Sequence, residues 1–241
     1  MIRVLLIQIR DWDSRMAEHE LECVERRFGG RSVEITSRNA KTHIAQTEWL
    51  DGQDAVVIGG SGAYSVHDPR STRFVYPLRD LLERALEDDV PGFGICFGHQ
   101  LLGQHLGVEV RTEASGTERG TVPVELTESG REDPLFKGLG EQFHVHTGHT
   151  DHVTKVPGTV ELLARTEAVE TQAFKVRGRR FYTSQFHPDV TAAEAQERYH
   201  GFATQAAQYG RRGYEKHAEA FEIGRDDTES LLGRFLDVCF A

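Results

Sequence analysis

The hydrophobic positions in the first half of the chain alternate between short continuous apolar runs and longer stretches with helical spacing. Continuous runs predict strands covered on both faces, and helical spacing predicts helices with one face on a core. Strands are predicted at residues 3–9, 32–36, 54–58 and just before Cys96, and helices after the first, third and fourth of them. This alternation predicts an α/β fold with a mostly parallel sheet, whose ligands bind at the carboxyl ends of the strands.

The second half of the chain changes to shorter and more polar strands. We expect them to extend the parallel core as antiparallel additions, at residues 108–112, 121–126, 160–164, 172–176 and 180–185. From Thr191 onwards the chain is rich in Ala, Glu, Gln and Arg, which predicts two or three helices with a break near 209–213. We therefore expect one domain over 1–190 and a C-terminal helical extension over 191–241 that packs on it.

Cys96 stands between Gly94 and Gly98 at the predicted junction of a strand and a helix. Glycines allow the sharp backbone turn that exposes a nucleophile at the top of an α/β sheet. A lone cysteine is more often a small buried hydrophobe, but the polar neighbours His99 and Gln100 argue against that interpretation here. We interpret Cys96 as a nucleophile, provided that the rest of the chain supplies a base and an oxyanion site.

A candidate base, His187, follows the last predicted strand and precedes Pro188, which fixes a tight exit from that strand. Asp189 is two residues further on and could reach the Nδ1 atom of His187. Such a carboxylate orients the imidazole and stabilises the imidazolium, which completes a set of nucleophile, base and orienter. Taken alone, the same three residues are equally consistent with a capping turn before a helix.

A glycine-rich loop, Gly59-Gly60-Ser61-Gly62, follows the third predicted strand. It lacks the Lys-Ser/Thr ending of a P-loop and the spacing of a dinucleotide-binding fingerprint, so nucleotide binding is disfavoured. We predict that the loop directs a backbone N–H at a carbonyl oxygen that becomes an oxyanion. A second N–H would come from Phe97, the residue after the nucleophile.

Four of the twelve histidines lie close together in the sequence, at positions 144, 146, 149 and 152. A metal site could be built from such a group, but a polar loop beside an active site has the same composition. Only His144 and His146 share one face of a possible strand, and the segment contains no glutamate that could act as a general base. We therefore predict no metal.

The net charge, the cysteines and the apolar runs together limit the partners and the compartment that we expect. With 28 basic and 38 acidic residues the net charge is −10, which disfavours a general nucleic-acid binder. The three cysteines are far apart, which argues against a disulfide framework and for a reducing compartment. The apolar N-terminus predicts a buried strand without a signal peptide, and no run approaches the length needed to cross a bilayer. We expect a cytoplasmic protein without a membrane partner.

Taken together, the motifs resemble those of the class I (triad-type) glutamine amidotransferases over roughly residues 1–190. Gly94-Ile95-Cys96-Phe97-Gly98-His99-Gln100 is similar to the nucleophile motif, Gln185-Phe186-His187-Pro188-Asp189 to the His-Pro-Glu motif and Gly59-Gly60 to the oxyanion loop. His149-Thr150-Asp151 resembles the His-Gly-Asp stretch of the branch that includes stand-alone domains similar to the glutaminase part of GMP synthase. Two positions depart from the family pattern: Asp189 stands where Glu is usual, and Ser61 stands where Pro is commoner.

The resemblance implies a flavodoxin-like, doubly wound α/β fold. It implies hydrolysis of the γ-amide of glutamine by a Cys96–His187–Asp189 triad through a γ-glutamyl thioester, with release of ammonia. Neither a metal nor an organic cofactor is implied. The N–H groups of Gly60 and Phe97 would form the oxyanion hole. The implied substrate-binding residues are Gly59, Gln100, His149, Thr150 and Asp151.

Three functions remain open from the sequence. A glutaminase of this kind normally passes ammonia to a synthetase, so a separate synthetase subunit is a possible partner. Relatives of this branch also include γ-glutamyl peptidases, which act on γ-glutamyl conjugates with the same triad. The third function is a catalytically silent binding module. Tyr199, Phe202, Tyr209, Tyr214 and Phe221 give the C-terminal extension apolar anchors, and it could dock on the sheet, cover the site or form a homodimer face.

Overall fold

The computed structural model describes residues 1–11, 15–208 and 220–241, with backbone alone for 203–208. Over these residues the chain forms a nine-stranded sheet with helices on both faces and a separate two-stranded sheet. The predicted break at 209–213 and the predicted anchors Tyr209 and Tyr214 lie outside the described residues.

Half of the large sheet is parallel and carries the predicted βα order. Its strands are β1 (Ile2–Gln8), β2 (Val33–Asn39), β3 (Ala55–Ile58), β4 (Gly92–Ile95) and β11 (Phe181–Ser184). They lie in the order β2-β1-β3-β4-β11, and every pair is parallel. Because neighbouring parallel strands end at the same edge, the segments after β3, β4 and β11 meet there.

The other half of the large sheet is antiparallel. It contains β6 (Glu118–Leu126), β7 (Gln142–His149), β9 (Val160–Arg165) and β10 (Ala173–Val176), in the order β10-β9-β6-β7 after β11. The expected antiparallel additions at 121–126, 160–164 and 172–176 are therefore confirmed. Two details differ. The strand expected at 180–185 is β11, which is antiparallel to β10 but parallel to β4, so it completes the parallel half. The strand predicted at 108–112 becomes β5 (Val110–Thr112), which pairs with β8 (Asp151–Val153) in the two-stranded sheet.

Helices cover both faces of the parallel half, as the predicted fold class requires. On one face, α2 (Thr72–Glu87) and α3 (Phe97–His105) bury an apolar cluster against β1 and β3. On the other face, α1 (Met16–Arg27) and α6 (Leu231–Phe240) pack in a second cluster. Burying a Leu or Phe side chain contributes about 1.5–3 kcal/mol, so these two clusters hold the layers together. The doubly wound α/β fold is confirmed.

Two further helices complete the described chain, the short α4 (Glu128–Glu132) and α5 (Ala192–Gln208). Helix α5 begins directly after the segment that follows β11 and contacts β7 and α1. Helix α6 buries Leu231, Leu232 and Phe235 in the main core. No helix in the described ranges combines the length and the apolarity needed to cross a membrane.

Candidate active site

Cys96 lies between the end of β4 and the first residue of α3, with φ 50° and ψ −92°. A positive φ is uncommon for a residue other than glycine and costs about 1–3 kcal/mol, so the surrounding structure must enforce it. The Cys96 N–H donates to the Ser184 carbonyl at 2.8 Å, and the Cys96 carbonyl accepts from the Gln100 N–H at 3.0 Å. The sharp turn predicted for a nucleophile is thus present.

The two flanking glycines are required by close backbone contacts. A Cβ atom at Gly94 would lie 2.8 Å from the Gly98 carbonyl carbon, and one at Gly98 would lie 2.4 Å from the Ile58 carbonyl oxygen. Both separations are shorter than packing allows. The glycines therefore let the turn between β4 and α3, which we call the elbow, approach β3. This brings Cys96 beside the loop that follows Ile58.

His187 and Asp189 follow β11, the strand next to β4. The His187 Nδ1 atom lies 3.0 Å from Asp189 Oδ1, and the His187 N–H donates to the His146 carbonyl at 2.9 Å. A Cβ atom at Gly60 would lie 2.7 Å from His187 Cε1 and 3.6 Å from Cys96 Cβ. The structure thus brings together the three segments that the sequence singled out, each at the carboxyl end of a parallel strand.

The charges around His187 favour its imidazolium form. Burial acts to lower the pKa of His187, but the Asp189 carboxylate and hydrogen bonds to Asp189 and Cys96 outweigh it and raise the pKa to about 9. Asp189 is 1% exposed, and its burial acts to raise its pKa. The charges of Arg198 and His187 oppose this and hold the pKa of Asp189 well below its usual range. Asp189 therefore remains a carboxylate facing a readily protonated imidazole.

Arg198, on α5, is a contact that the sequence did not predict. Its Nη1 atom donates to Asp189 Oδ2 at 2.6 Å, so the two oxygens of Asp189 face His187 and Arg198. Burial acts to lower the pKa of Arg198, and the charges of Asp189 and Glu20 raise it. The sequence signal that could have located it is the capping pattern Thr191-x-x-Glu194, because it sets the start of α5 and so the face on which Arg198 lies.

Two glutamine side chains, Gln185 and Gln100, form a chain of contacts from Cys96 to Asp151. Gln185 Nε2 lies 3.6 Å from Cys96 Sγ, and Gln185 Oε1 accepts from Gln100 Nε2 at 3.2 Å. Gln100 Nε2 also donates to the Asp151 carbonyl at 2.8 Å. Gln185 belongs to the His-Pro motif, but its contact with the thiol was not predicted, because it depends on the register between β4 and β11.

Cys96 borders two cavities. One, of about 570 Å³, is lined by four of the predicted substrate-binding residues, Gln100, His149, Thr150 and Asp151. The other, of about 690 Å³, is lined by His187 and by residues of α1 and α5.

Gly59 lies behind the loop, where its N–H donates to the Ile7 carbonyl and a Cβ atom would lie 2.5 Å from Glu20 Oε1. Phe97 packs its ring on Phe74, with centroids 6.1 Å apart.

The predicted stretch His149-Thr150-Asp151 forms the corner between β7 and β8. The buried His149 has Nε2 3.1 Å from a Glu118 carboxylate oxygen, and Asp151 Oδ1 accepts from the Thr112 hydroxyl at 2.6 Å. The four histidines of this region do not converge. Among the described residues no group of three or more His, Cys, Asp or Glu side chains could hold a metal ion.

Comparison with known proteins identifies the family. The profile of the class-I glutamine amidotransferases matches residues 20–204. A glutamine-hydrolyzing GMP synthase subunit of Sulfurisphaera tokodaii is 33% identical over 176 residues, which cover 69% of this chain and 88% of that protein. The same subunit of Thermococcus kodakarensis is 36% identical over 114 residues, which cover 47% of this chain and 58% of that protein.

The fold comparison agrees with this assignment. A crystal structure of a glutamine amidotransferase from Thermotoga maritima matches with a TM-score of 0.78 at 21% identity, over 99% of this chain and 97% of that one. A glutamine amidotransferase from Methylobacillus flagellatus matches with a TM-score of 0.70 at 16% identity, over 98% of this chain and 95% of that one. The profile match spans well over half of the chain, and so this protein belongs to the class-I glutamine amidotransferases.

Proposed function

We propose that this protein hydrolyses the γ-amide of glutamine, with Cys96 as nucleophile, His187 as general base and Asp189 as orienter. One observation carries the proposal: a strained elbow holds Cys96 beside an imidazole whose other nitrogen faces a buried carboxylate. Relatives named as glutamine-hydrolysing support glutamine as the substrate. The family membership supports the reaction class.

The reaction proceeds through a thioester. His187 accepts the proton of the Cys96 thiol, and the thiolate attacks the γ-carbonyl carbon of glutamine. His187 then returns the proton to the amide nitrogen, the C–N bond breaks and ammonia leaves. A water molecule next transfers a proton to His187 and attacks the γ-glutamyl thioester, which releases glutamate and restores the thiol. Asp189 keeps Nδ1 of His187 protonated, so that Nε2 can exchange the proton in both steps.

The oxyanion of each tetrahedral intermediate is assigned to the N–H groups of Gly60 and Phe97. Gly60 is close to both reacting side chains, and Phe97 follows the nucleophile at the start of α3. Fixed N–H donors at such a position stabilise developing negative charge without reorganisation. The glutamyl part is assigned to the cavity of about 570 Å³, because Gln100, His149, Thr150 and Asp151 line it next to Cys96.

The ammonia is assigned to a separate synthetase subunit. The relatives from Sulfurisphaera and Thermococcus are each named as one subunit of a GMP synthase, which supports a partnership of two chains. On this assignment, glutamine hydrolysis by the isolated protein is slow and increases when the cognate synthetase and its acceptor substrate are added. Residues 191–241 are assigned to the same domain as an extension, because Leu231, Leu232 and Phe235 belong to the main core.

A γ-glutamyl conjugate is the second candidate substrate. The cavity on the His187 side, about 690 Å³ as lined by the described residues, is much larger than ammonia requires. A bulky amine could leave into it by the same thioester route. Parallel assays with L-glutamine and with γ-glutamyl peptides separate the two candidates: turnover of the peptides with glutamine left intact would contradict the amidotransferase assignment.

Labelling with a glutamine-like diazo-ketone tests whether the site is catalytic at all. Cys96 is expected to be alkylated in the folded protein, with the adduct located by mass spectrometry. Burial raises the pKa of Cys23 to about 12 and that of Cys239 to about 11, so these two thiols stay protonated and serve as internal controls. An unmodified Cys96 would favour the silent binding module.

A further inference from the structure

Helix α5 starts with a reciprocal capping interaction directly after the His187 segment. The Thr191 N–H donates to Glu194 Oε2 at 2.8 Å, and the Glu194 N–H donates to Thr191 Oγ1 at 3.2 Å. This arrangement is a capping box, which fixes where a helix begins. Residues three, four and seven positions after Thr191 then share one face, which contains Glu194, the buried Ala195 and Arg198.

Arg198 meets Asp189 from this face of α5. The pair is almost completely enclosed, with side-chain exposures of 11% for Arg198 and 1% for Asp189. Asp189 uses one carboxylate oxygen for His187 and the other for Arg198, at 3.0 and 2.6 Å. A carboxylate held at both oxygens cannot rotate without losing one partner, so Arg198 restricts the orientation from which Asp189 reaches His187.

The charges behind this pair alternate in sign. A second buried pair joins Arg10 to Glu20 at 2.7 Å, and the charge of Glu20 also attracts Arg198. Glu20 lies against Gly59, where a Cβ atom would be 2.5 Å from its carboxylate. A row of charges from Arg10 through Glu20 and Arg198 to Asp189 thus passes behind the glycine loop and ends at the imidazole.

We propose that Arg198 is a positioning residue of the triad: it holds the carboxylate of Asp189 aimed at His187. The proposal rests on the proposed function. Docking of α5 alone would not require this pair, because Arg26 of α1 already pairs with Glu194 of α5, and Ala195 and Tyr199 pack in an apolar cluster with Phe221. A buried ion pair also carries a desolvation cost that apolar contacts avoid.

The test compares four variants by their kcat and KM for L-glutamine: Arg198→Met, Arg198→Lys, Asp189→Asn and the double variant. Arg198→Met is expected to lower kcat at least about tenfold with KM changed less than about threefold, and Arg198→Lys to retain about a third of kcat. Because Arg198 acts through Asp189, adding Arg198→Met to Asp189→Asn is expected to cost less than about twofold.

Arg26→Gln is the matched control. It removes an ion pair of the same helix at an exposed position that does not touch Asp189, so kcat and KM are expected to stay within about twofold. If Arg198→Met does not fold because it leaves Asp189 unpaired, the comparison of Asp189→Asn with the double variant carries the test. A folded Arg198→Met protein with wild-type kcat, or a double variant about tenfold worse than Asp189→Asn, overturns the proposal.

A second readout needs no substrate. The Nδ1 proton of His187, shared with Asp189, is expected to give a downfield proton resonance that is absent from His187→Gln and Asp189→Asn. It should persist in Arg198→Lys and Arg26→Gln, and broaden or disappear in Arg198→Met. If these resonances follow the expected pattern while no variant hydrolyses glutamine, only the proposed function fails. An unchanged resonance in Arg198→Met contradicts the role of Arg198.

Discussion

The elbow at Cys96 and the charged region formed by His187, Asp189 and Arg198 face each other across the site, yet different interactions hold them in place. The elbow depends on backbone contacts, since Gly94, Gly98 and Gly60 lie where side chains would collide with neighbouring atoms. The charged region depends on side-chain contacts, because Asp189 lies between His187 and Arg198 and contacts both. One region is positioned by steric exclusion and the other by charge.

This difference has a practical consequence for substitutions. Steric exclusion is local and insensitive to pH. A substitution at one of the glycines of the site therefore displaces its neighbours by an amount that follows from the contact distances in the structure. Charge acts over longer distances and changes with protonation, so a substitution there alters the pKa values of its neighbours. Each region can therefore be perturbed separately, and the expected responses differ in size and in pH dependence.

The largest effect is expected from Cys96→Ala, which removes the nucleophile and leaves the elbow. Glutamine hydrolysis should fall by at least about 10⁴-fold, because no other group can form the thioester. The free energy of unfolding should change by less than about 1 kcal/mol, since alanine adopts the same backbone with little lost volume. Glutamate release and urea unfolding measure the two quantities.

Cys239→Ala is the control for Cys96→Ala. Cys239 is buried in α6 and does not line either cavity at the site, so the variant should keep wild-type turnover. Residual hydrolysis by Cys96→Ala above the background of His187→Gln would show that the thiol is not the nucleophile.

Gly60→Ala should have the next largest effect, because the added methyl group would collide with His187, a member of the charged region. The new Cβ atom would lie 2.7 Å from His187 Cε1, so the ring or the loop must move. A displacement of about 1 Å at a reacting group lowers kcat by about 10²-fold. Gly158→Ala is the matched control, since its Cβ atom would meet nothing within 4 Å. Equal kcat values for the two variants would mean that His187 is not held where the structure places it.

The steric region is also the one that sequence patterns predict best. Gly94, Cys96 and Gly98 form a local motif, and the apolar runs before Gly59 and Cys96 predict that both turns lie at the carboxyl ends of parallel strands. The meeting of His187 with Cys96 was expected from their chemistry and from the family resemblance and not from the topology, because the strand before His187 was predicted as an antiparallel addition, whereas β11 is parallel to β4. Short elements without periodicity were missed, namely β8 and α4, since three or five residues are too few to show a period.

The charged region was predicted only in part. Asp189 was expected at Nδ1 of His187 because the two residues are neighbours in sequence. Gln185 reaches the site through the register of β11 on β4, which one sequence does not contain as a local signal. Arg198 reaches it through the direction of α5, and the capping pattern Thr191-x-x-Glu194 indicates only where that helix begins. Glu20 is another case, since an acidic residue on a helix normally faces solvent, whereas here it is buried beside Arg10.

Between pH 6.5 and 9, the charged region should contribute a pH dependence of stability that the elbow does not. The pKa of His187 is raised from 6.5 to about 9, so folding favours its protonated form. The associated stability is fully present below pH 6.5 and is lost as the pH rises through 9, by at most about 3 kcal/mol. Urea unfolding at intervals across this window measures the loss, and His187→Gln should show a flatter profile. Parallel profiles for the two proteins would contradict the raised pKa.

Asp189→Glu is expected to have the smallest effect, and it tests whether the charged region tolerates a change in the length of its acid. The side chain lengthens by one methylene in a site where Asp189 is 1% exposed and contacts His187 and Arg198 at once. The longer acid cannot keep both contacts without moving α5 or the imidazole, and overpacking of this kind costs about 1–3 kcal/mol. We therefore expect kcat for glutamine to fall about tenfold, although glutamate is the usual family residue.

The combination of Asp189→Glu with Arg198→Met separates crowding from charge. If Arg198 crowds the longer acid, its replacement by the more adaptable methionine should recover part of the lost kcat. Thr191→Ser, which retains the capping hydroxyl of α5, is the control and should leave kcat within about twofold. An increase in kcat on Asp189→Glu alone would mean that the shorter acid is a compromised position, and that Arg198 does not hold it in its best geometry.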